Sequence, residues 1–180
     1  MQHTDQEIID LFRDKESRNL AIQSMIKQYQ VRLYWHIRRI VIDHDDTDDV
    51  LQNTFIKAWK GMENFKGEAK IYTWLFRIGT NESITFLRQK RSNLSSIHPI
   101  EYHLSNSISS DPYFKGEEIQ LKLQKAILSL PEKQRIVFNM RYYDEMPYEK
   151  MSEILETSVG ALKASYHIAA KKIEEQLLNH

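Results

Sequence analysis

The sequence predicts an all-α protein, two helical domains joined by a flexible linker, with a helix-turn-helix in the C-terminal domain. Three observations predict it. Only 5 glycines and 4 prolines interrupt 180 residues, which favours helices. Apolar residues recur at three- and four-residue steps along most of the chain, the period of an amphipathic helix. One segment, 93–114, breaks that pattern with six serines, two prolines and no lysine or arginine. It reads as a linker between a domain over 1–92 and another over 115–180.

The elements follow in order. Thr4-Asp5, with Glu7 close behind, signals a helix start, and Ile8, Ile9, Leu11 and Phe12 make a short apolar helix. A second helix runs from Ser17 to Val41, with Ile22, Met25, Ile26, Tyr29, Leu33, Ile37 and Ile40 on its apolar stripe. The acidic cluster Asp43 to Asp49 lies between helices, where carboxylates cap free N–H groups. A third helix is predicted over Asp46 to Met62, a loop over 63–69, and a fourth helix over Lys70 to Lys90 ending in a basic run. Beyond the linker, helices are predicted over Ile119 to Leu130, from Pro131 to Tyr143, and over Tyr148 to Leu155 behind Pro147. Ser158 then caps a last helix reaching Leu178.

Composition excludes several classes. The absence of cysteine rules out disulfides, thiolate metal sites and thiol catalysis, and it fits a reducing compartment. No basic-then-apolar leader opens the sequence, and no window approaches the run of apolar residues a membrane span needs, so neither secretion nor direct membrane insertion is expected. The seven histidines are scattered, none in HExxH spacing, and no glycine-rich phosphate loop is present. His44 among its aspartates reads as an exposed inter-helix loop, and that cluster lacks the ligand order and central glycine of a calcium loop. No catalytic residue, metal ligand or cofactor is therefore assigned.

The last two helices form the clearest motif. Met151, Ile154 and Leu155 are spaced to pack on Val159, Leu162 and Tyr166. That leaves Ser158, Gly160, Ala161, Lys163, Ala164, Ser165 and His167 near the open face of the final helix. Small and hydroxylic residues there would let a helix enter a major groove, where Lys163 could reach a phosphate or a guanine edge. Lys171 and Lys172 lie farther along, within reach of backbone. A plain helical hairpin with a solvated face satisfies the same spacing. The charge is awkward for a DNA ligand, since 25 Lys and Arg balance 25 Asp and Glu, whereas backbone electrostatics alone would favour a basic protein.

Beyond these patterns the sequence resembles the bacterial extracytoplasmic-function (ECF) sigma factors of the sigma-70 family. In the first domain the resemblance rests on Asp46-Thr47-Asp48-Asp49-Val50-Leu51-Gln52-Asn53-Thr54-Phe55-Ile56-Lys57-Ala58-Trp59, then Phe65-Lys66-Gly67, Thr73-Trp74-Leu75-Phe76-Arg77-Ile78, Asn81 and Leu87-Arg88. In the second it rests on Leu130-Pro131-Glu132-Lys133-Gln134-Arg135, Phe138, Arg141-Tyr142, Tyr148-Glu149-Lys150-Met151 and Ser158-Val159-Gly160-Ala161-Leu162-Lys163.

The resemblance implies a cytoplasmic, non-catalytic initiation factor that binds core RNA polymerase and directs it to promoters. It implies core binding through Asp48, Asp49, Gln52 and Asn53, which by themselves read equally as a solvated acidic helix start. It implies minus-10 contacts through Phe65 and Lys66, in a loop that holds an unstacked base. The same element would be followed by Tyr72, Asn81, Arg88, Lys90 and Arg91, with Trp59 and Trp74 read from their spacing as core. The helix from Ser158 would read the minus-35 element, Lys171 included. The linker, with Glu101 and Asp111, would thread the polymerase. An anti-sigma partner, in this family often membrane-anchored, is implied as well. Two departures stand out: Ser165, Ile168 and Ala170 lie near positions where the family usually carries more arginine, and Pro147 replaces a common serine cap. The runner-up, a dimeric helix-turn-helix regulator, would need a ligand pocket or dimerisation helix and leaves the first domain's motifs unexplained.

Overall fold

The computed structural model describes residues 3–93 and 118–178. Most of the expected linker, 93–114, and with it Glu101 and Asp111, lies outside the described residues; Asn93 is the last residue of a helix. Among the described residues, helices and one short 3-10 turn make up the regular structure.

Helix α1, Asp5–Arg13, starts on a reciprocal cap: Thr4 Oγ1 accepts from the Glu7 N–H at 3.2 Å and Glu7 Oε2 accepts from the Thr4 N–H at 2.6 Å. Its Ile8, Ile9 and Phe12 are buried. Helix α2, Arg18–Val41, is the axis of the first module. Ala21, Met25, Tyr29, Leu33, Ile37 and Ile40 form its buried stripe, and α1, α3 and α4 all pack on it.

Helix α3, His44–Gly61, begins two residues before the predicted start. The reason is Asp43, whose carboxylate accepts from the Asp46 N–H at 3.2 Å and so serves as the cap. The junction is abrupt: Ile42 adopts φ 74°, a left-handed conformation that strains a β-branched residue, with its N–H donated to Arg38 O at 2.8 Å and its side chain buried. After α3 come a 3-10 turn, Met62–Asn64, and helix α4, Ile71–Asn93.

The second module comprises α5 (Glu118–Leu128), α6 (Glu132–Tyr142), α7 (Tyr148–Leu155) and α8 (Val159–Leu178). Pro131 and Pro147 stand at the N-cap positions of α6 and α7, where a missing N–H costs nothing. Met151, Ile154 and Leu162 are buried between α7 and α8, with Tyr166 stacked 5.6 Å from Phe138. The turn places Glu156 in the left-handed region, and Ser158 Oγ accepts from the Ala161 N–H at 3.3 Å.

The two modules pack on each other, α4 against α7 and α2 against α6, over a continuous apolar core. Polar contacts cross the same boundary. Asp144 Oδ2 lies 2.9 Å from His36 Nδ1, and Asp144 Oδ1 accepts from Arg39 Nη1 at 2.6 Å. Asn139 Nδ2 donates to Arg39 O at 3.1 Å, and Arg77 Nη2 donates to Glu153 O at 2.7 Å. The buried His36 ring is held on its other side by Thr80 Oγ1, 2.8 Å from Nε2.

Candidate nucleic-acid interface

The loop between the 3-10 turn and α4 turns on Gly67 at φ 76°, a conformation that favours glycine. It folds back so that the Phe65 ring lies 4.8 Å from the Trp74 ring at 36°. The Trp74 indole in turn lies over the end of α3, where a Cβ on Gly61 would sit 3.1 Å from Trp74 Cζ2. Gly61 thus makes room for the indole.

These residues wall an open cavity of about 640 Å³. Phe65 and Trp74 supply aromatic surface, Lys66 and Arg77 supply cations, and Asn81 supplies an amide. Lys57 and Glu82, ion-paired at 2.5 Å, close one side. The wall also carries the Glu68 carboxylate, and Arg77 is engaged by the second module, its Nη1 3.5 Å from Glu156 Oε1. The two rings, Lys66 and the Asn81 amide are suited to a planar, polar-edged ligand.

Three of the predicted minus-10 residues, Phe65, Lys66 and Asn81, meet in this cavity. Arg88 and Arg91 are exposed farther along α4, Arg91 lying 4.0 Å from Glu132 of the second module. Lys90 is half-buried and ion-paired with Asp46. Tyr72 stands apart from the cavity, half-buried. Its ring is 4.1 Å from Phe76, with the Arg32 guanidinium at 4.9 Å and the Lys150 ammonium, from α7, at 5.3 Å. Burial is the main cause that pushes its hydroxyl up to about 12, with Arg32 opposing and Asp144 adding to the shift.

Trp59 packs edge-on against Phe12 at 5.2 Å. Trp74, whose helical spacing marks it as core, also lines the cavity. Lys57 and Arg77 stood in the family motifs without an assigned role, and Gly61 was not named; the glycine closing an otherwise regular helix was its one local signal.

On α3, Asp48, Asp49, Gln52 and Asn53 are all exposed, and their spacing sets them on one face. Ser158, just before α8, is exposed, as are Gly160, Ala161, Lys163, Ala164, His167 and Lys171 on the helix, and Ser165 is half-buried. A Cβ on Gly160 would meet open space. Lys163 Nζ rests 5.7 Å from the Tyr148 ring. Among the described residues no group of three or more histidines and carboxylates could hold a metal ion, and no helix is long and apolar enough to cross a membrane.

The family model described as "Sigma-70 region 2" matches residues 25–93, and that described as "Sigma-70, region 4" matches residues 120–173. The RNA polymerase sigma-H factor of Pseudomonas aeruginosa is 26% identical over 185 residues, covering 98% of this chain and 95% of its own. The ECF RNA polymerase sigma-E factor of Escherichia coli K12 is 27% identical with the same coverage. Among solved structures, CnrH in complex with the cytosolic domain of CnrY aligns with a TM-score of 0.70 at 21% identity, covering 96% of both chains. The sigma factor RpoE in complex with the anti-sigma factor NepR from Bartonella quintana aligns with a TM-score of 0.65 at 21% identity, covering 86% of this chain and 95% of that one. These last two are likenesses of fold.

Proposed function

The chain belongs to the sigma-70 family, as an ECF-type sigma factor with regions 2 and 4, and from that premise we propose how its residues divide the work of transcription initiation. Sigma factors initiate transcription without catalysis of their own, and we assign this chain no reaction. Its place is beside core RNA polymerase in the cytoplasm.

In this reading residues 1–92 are the promoter-opening domain and 115–180 the minus-35 reader, with 93–114 as the linker. The exposed face Asp48, Asp49, Gln52 and Asn53 binds core. The cavity of Phe65, Lys66 and Asn81, with Trp74 and Arg77, takes an unstacked base of the opened strand. Arg88, Lys90 and Arg91 follow the backbone, and Tyr72 joins them when the second module moves off it. The single observation that carries the reading is the Phe65–Trp74 pair walling a cation-bearing cavity inside the region 2 match. On α8, the open face from Ser158 to Lys171 reads the upstream element.

Equal numbers of acidic and basic side chains leave core polymerase to supply most of the DNA affinity. Mobility shift with free protein and with reconstituted holoenzyme tests this: retardation of promoter DNA is expected only with core. Tight specific binding by the free chain, or failure to associate with core, would overturn it. An anti-sigma partner is part of the proposal, supported by the two fold relatives solved with CnrY and with the anti-sigma factor NepR.

A further inference from the structure

Asp5 opens α1, but the cap of that helix is supplied by Thr4 and Glu7. Both Asp5 carboxylate oxygens are engaged elsewhere. Oδ1 accepts from Tyr29 Oη at 2.6 Å, and Oδ2 accepts from the backbone N–H of Ile71 at 3.0 Å. Ile71 is the first residue of α4, and its N–H is one of those a helix leaves without an internal partner. The residue before it, Lys70, has no acceptor side chain, so the partner comes from 66 positions away.

The bond sits at a sensitive place. Phe65, Lys66 and Ala69 of the cavity wall precede Ile71, and Trp74 follows it on the first turn of α4. The other end of the loop is held from the same quarter. Arg18, at the start of α2, donates from its Nε to Phe12 O at 3.1 Å and from its Nη1 to Glu63 Oε1 at 2.9 Å. Ile9 of α1 lies under the loop's apex, its Cδ1 3.8 Å from where a Cβ on Gly67 would stand. Helix α1 and its junction with α2 therefore frame the loop on both sides, although they lie outside the region 2 match of residues 25–93.

We infer that Asp5 is a positioning residue for the cavity: by joining the Tyr29 hydroxyl to the Ile71 N–H it fixes the start of α4, and with it the separation of Phe65 from Trp74. The inference rests on the base-capture reading of that cavity. Tyr29 supports the geometry, since burial first and Asp5 second push its hydroxyl well above the usual phenol range. A phenol held protonated remains a donor to the carboxylate.

The test uses full-length protein reconstituted with core polymerase. The probe is the non-template minus-10 strand of a promoter mapped with this holoenzyme, in four versions differing only at the captured base. Core affinity and thermal melting of each variant are measured alongside. Wild type should bind one version at least tenfold more tightly than the weakest. Asp5→Ala should bring the four within about twofold of one another, with core affinity unchanged. Asp5→Asn keeps one acceptor oxygen for the Ile71 N–H and reverses the Tyr29 contact, its amide N–H donating to the phenol oxygen, so it should restore most of the spread. An undiminished spread in Asp5→Ala overturns the inference while leaving the base-capture reading intact. Loss of core affinity or folding in both variants also overturns it, because Asp5 would then merely hold the bundle together. No spread in wild type overturns the base-capture reading and the inference with it.

Discussion

Asp144 and His36, 108 positions apart in the chain, meet at 2.9 Å on the boundary between the two modules. The His36 side chain is 2% exposed and that of Asp144 11%, and Arg39 binds the second carboxylate oxygen. Removing Asp144 leaves a buried imidazole and a half-buried guanidinium without their shared acceptor. Asp144→Ala should weaken the intermodule contact by about 1–3 kcal/mol. Small-angle scattering should show a larger radius of gyration for the variant. An unchanged radius would mean that the apolar contacts hold the boundary unaided.

Tyr72 gives a pH signature. Its hydroxyl is raised to about 12 in the folded protein, chiefly by burial, against about 10 in an unfolded chain. The folded state therefore keeps a proton that the unfolded state loses. The stability linked to Tyr72 is complete below about pH 10 and falls as pH rises towards 12. Chemical denaturation between pH 9 and 11.5 should show a shallower decline for Tyr72→Phe than for wild type. Identical slopes would mean that the hydroxyl is not protected in the native state.

The cavity makes a prediction about strand opening. Trp74→Ala removes one of its two rings, and base–aromatic stacking contributes about 1–3 kcal/mol per base. Open-complex formation, followed by permanganate reactivity, should fall about tenfold or more, and Trp74→Phe should recover part of it. Wild-type opening by Trp74→Ala would assign base capture to other residues.

Lys163 is exposed on the open face of α8. Lys163→Ala should weaken holoenzyme binding to every promoter alike and reduce the slope of log affinity against log salt by about one, as expected for one lost phosphate contact. A change confined to promoters differing in the minus-35 element would assign Lys163 to a base edge.

The helices were legible because each carries a local signal. Thr4 and Glu7 announced α1, and the α2 stripe repeats so regularly that its span was readable to within a residue. The start of α3 was harder, because several neighbouring aspartates could each serve as a cap and only the fold selects Asp43. Phe65, Lys66 and Asn81 were each named through the family motif, in a loop and on a helix, and only the fold brings them to one cavity. What stayed hidden was what depends on distant contacts. Neither spacing nor propensity at Asp5 points to Ile71, and nothing near His36 points to Asp144. The covering of Tyr72 by Lys150 follows from packing between modules, and periodicity within a helix contains no record of that.

Lys150 over Tyr72 has a consequence for competition. The two residues belong to one chain, so the second module faces the first at an effective concentration on the order of millimolar, however dilute the protein is. Any ligand for the Tyr72 face meets a standing intramolecular competitor, and its apparent affinity is lowered by the fraction of molecules that are open. A ligand gripping only one module bears that whole penalty. One that grips both at once spreads it over two sets of contacts, so the fold itself selects for large, two-site partners over small ones.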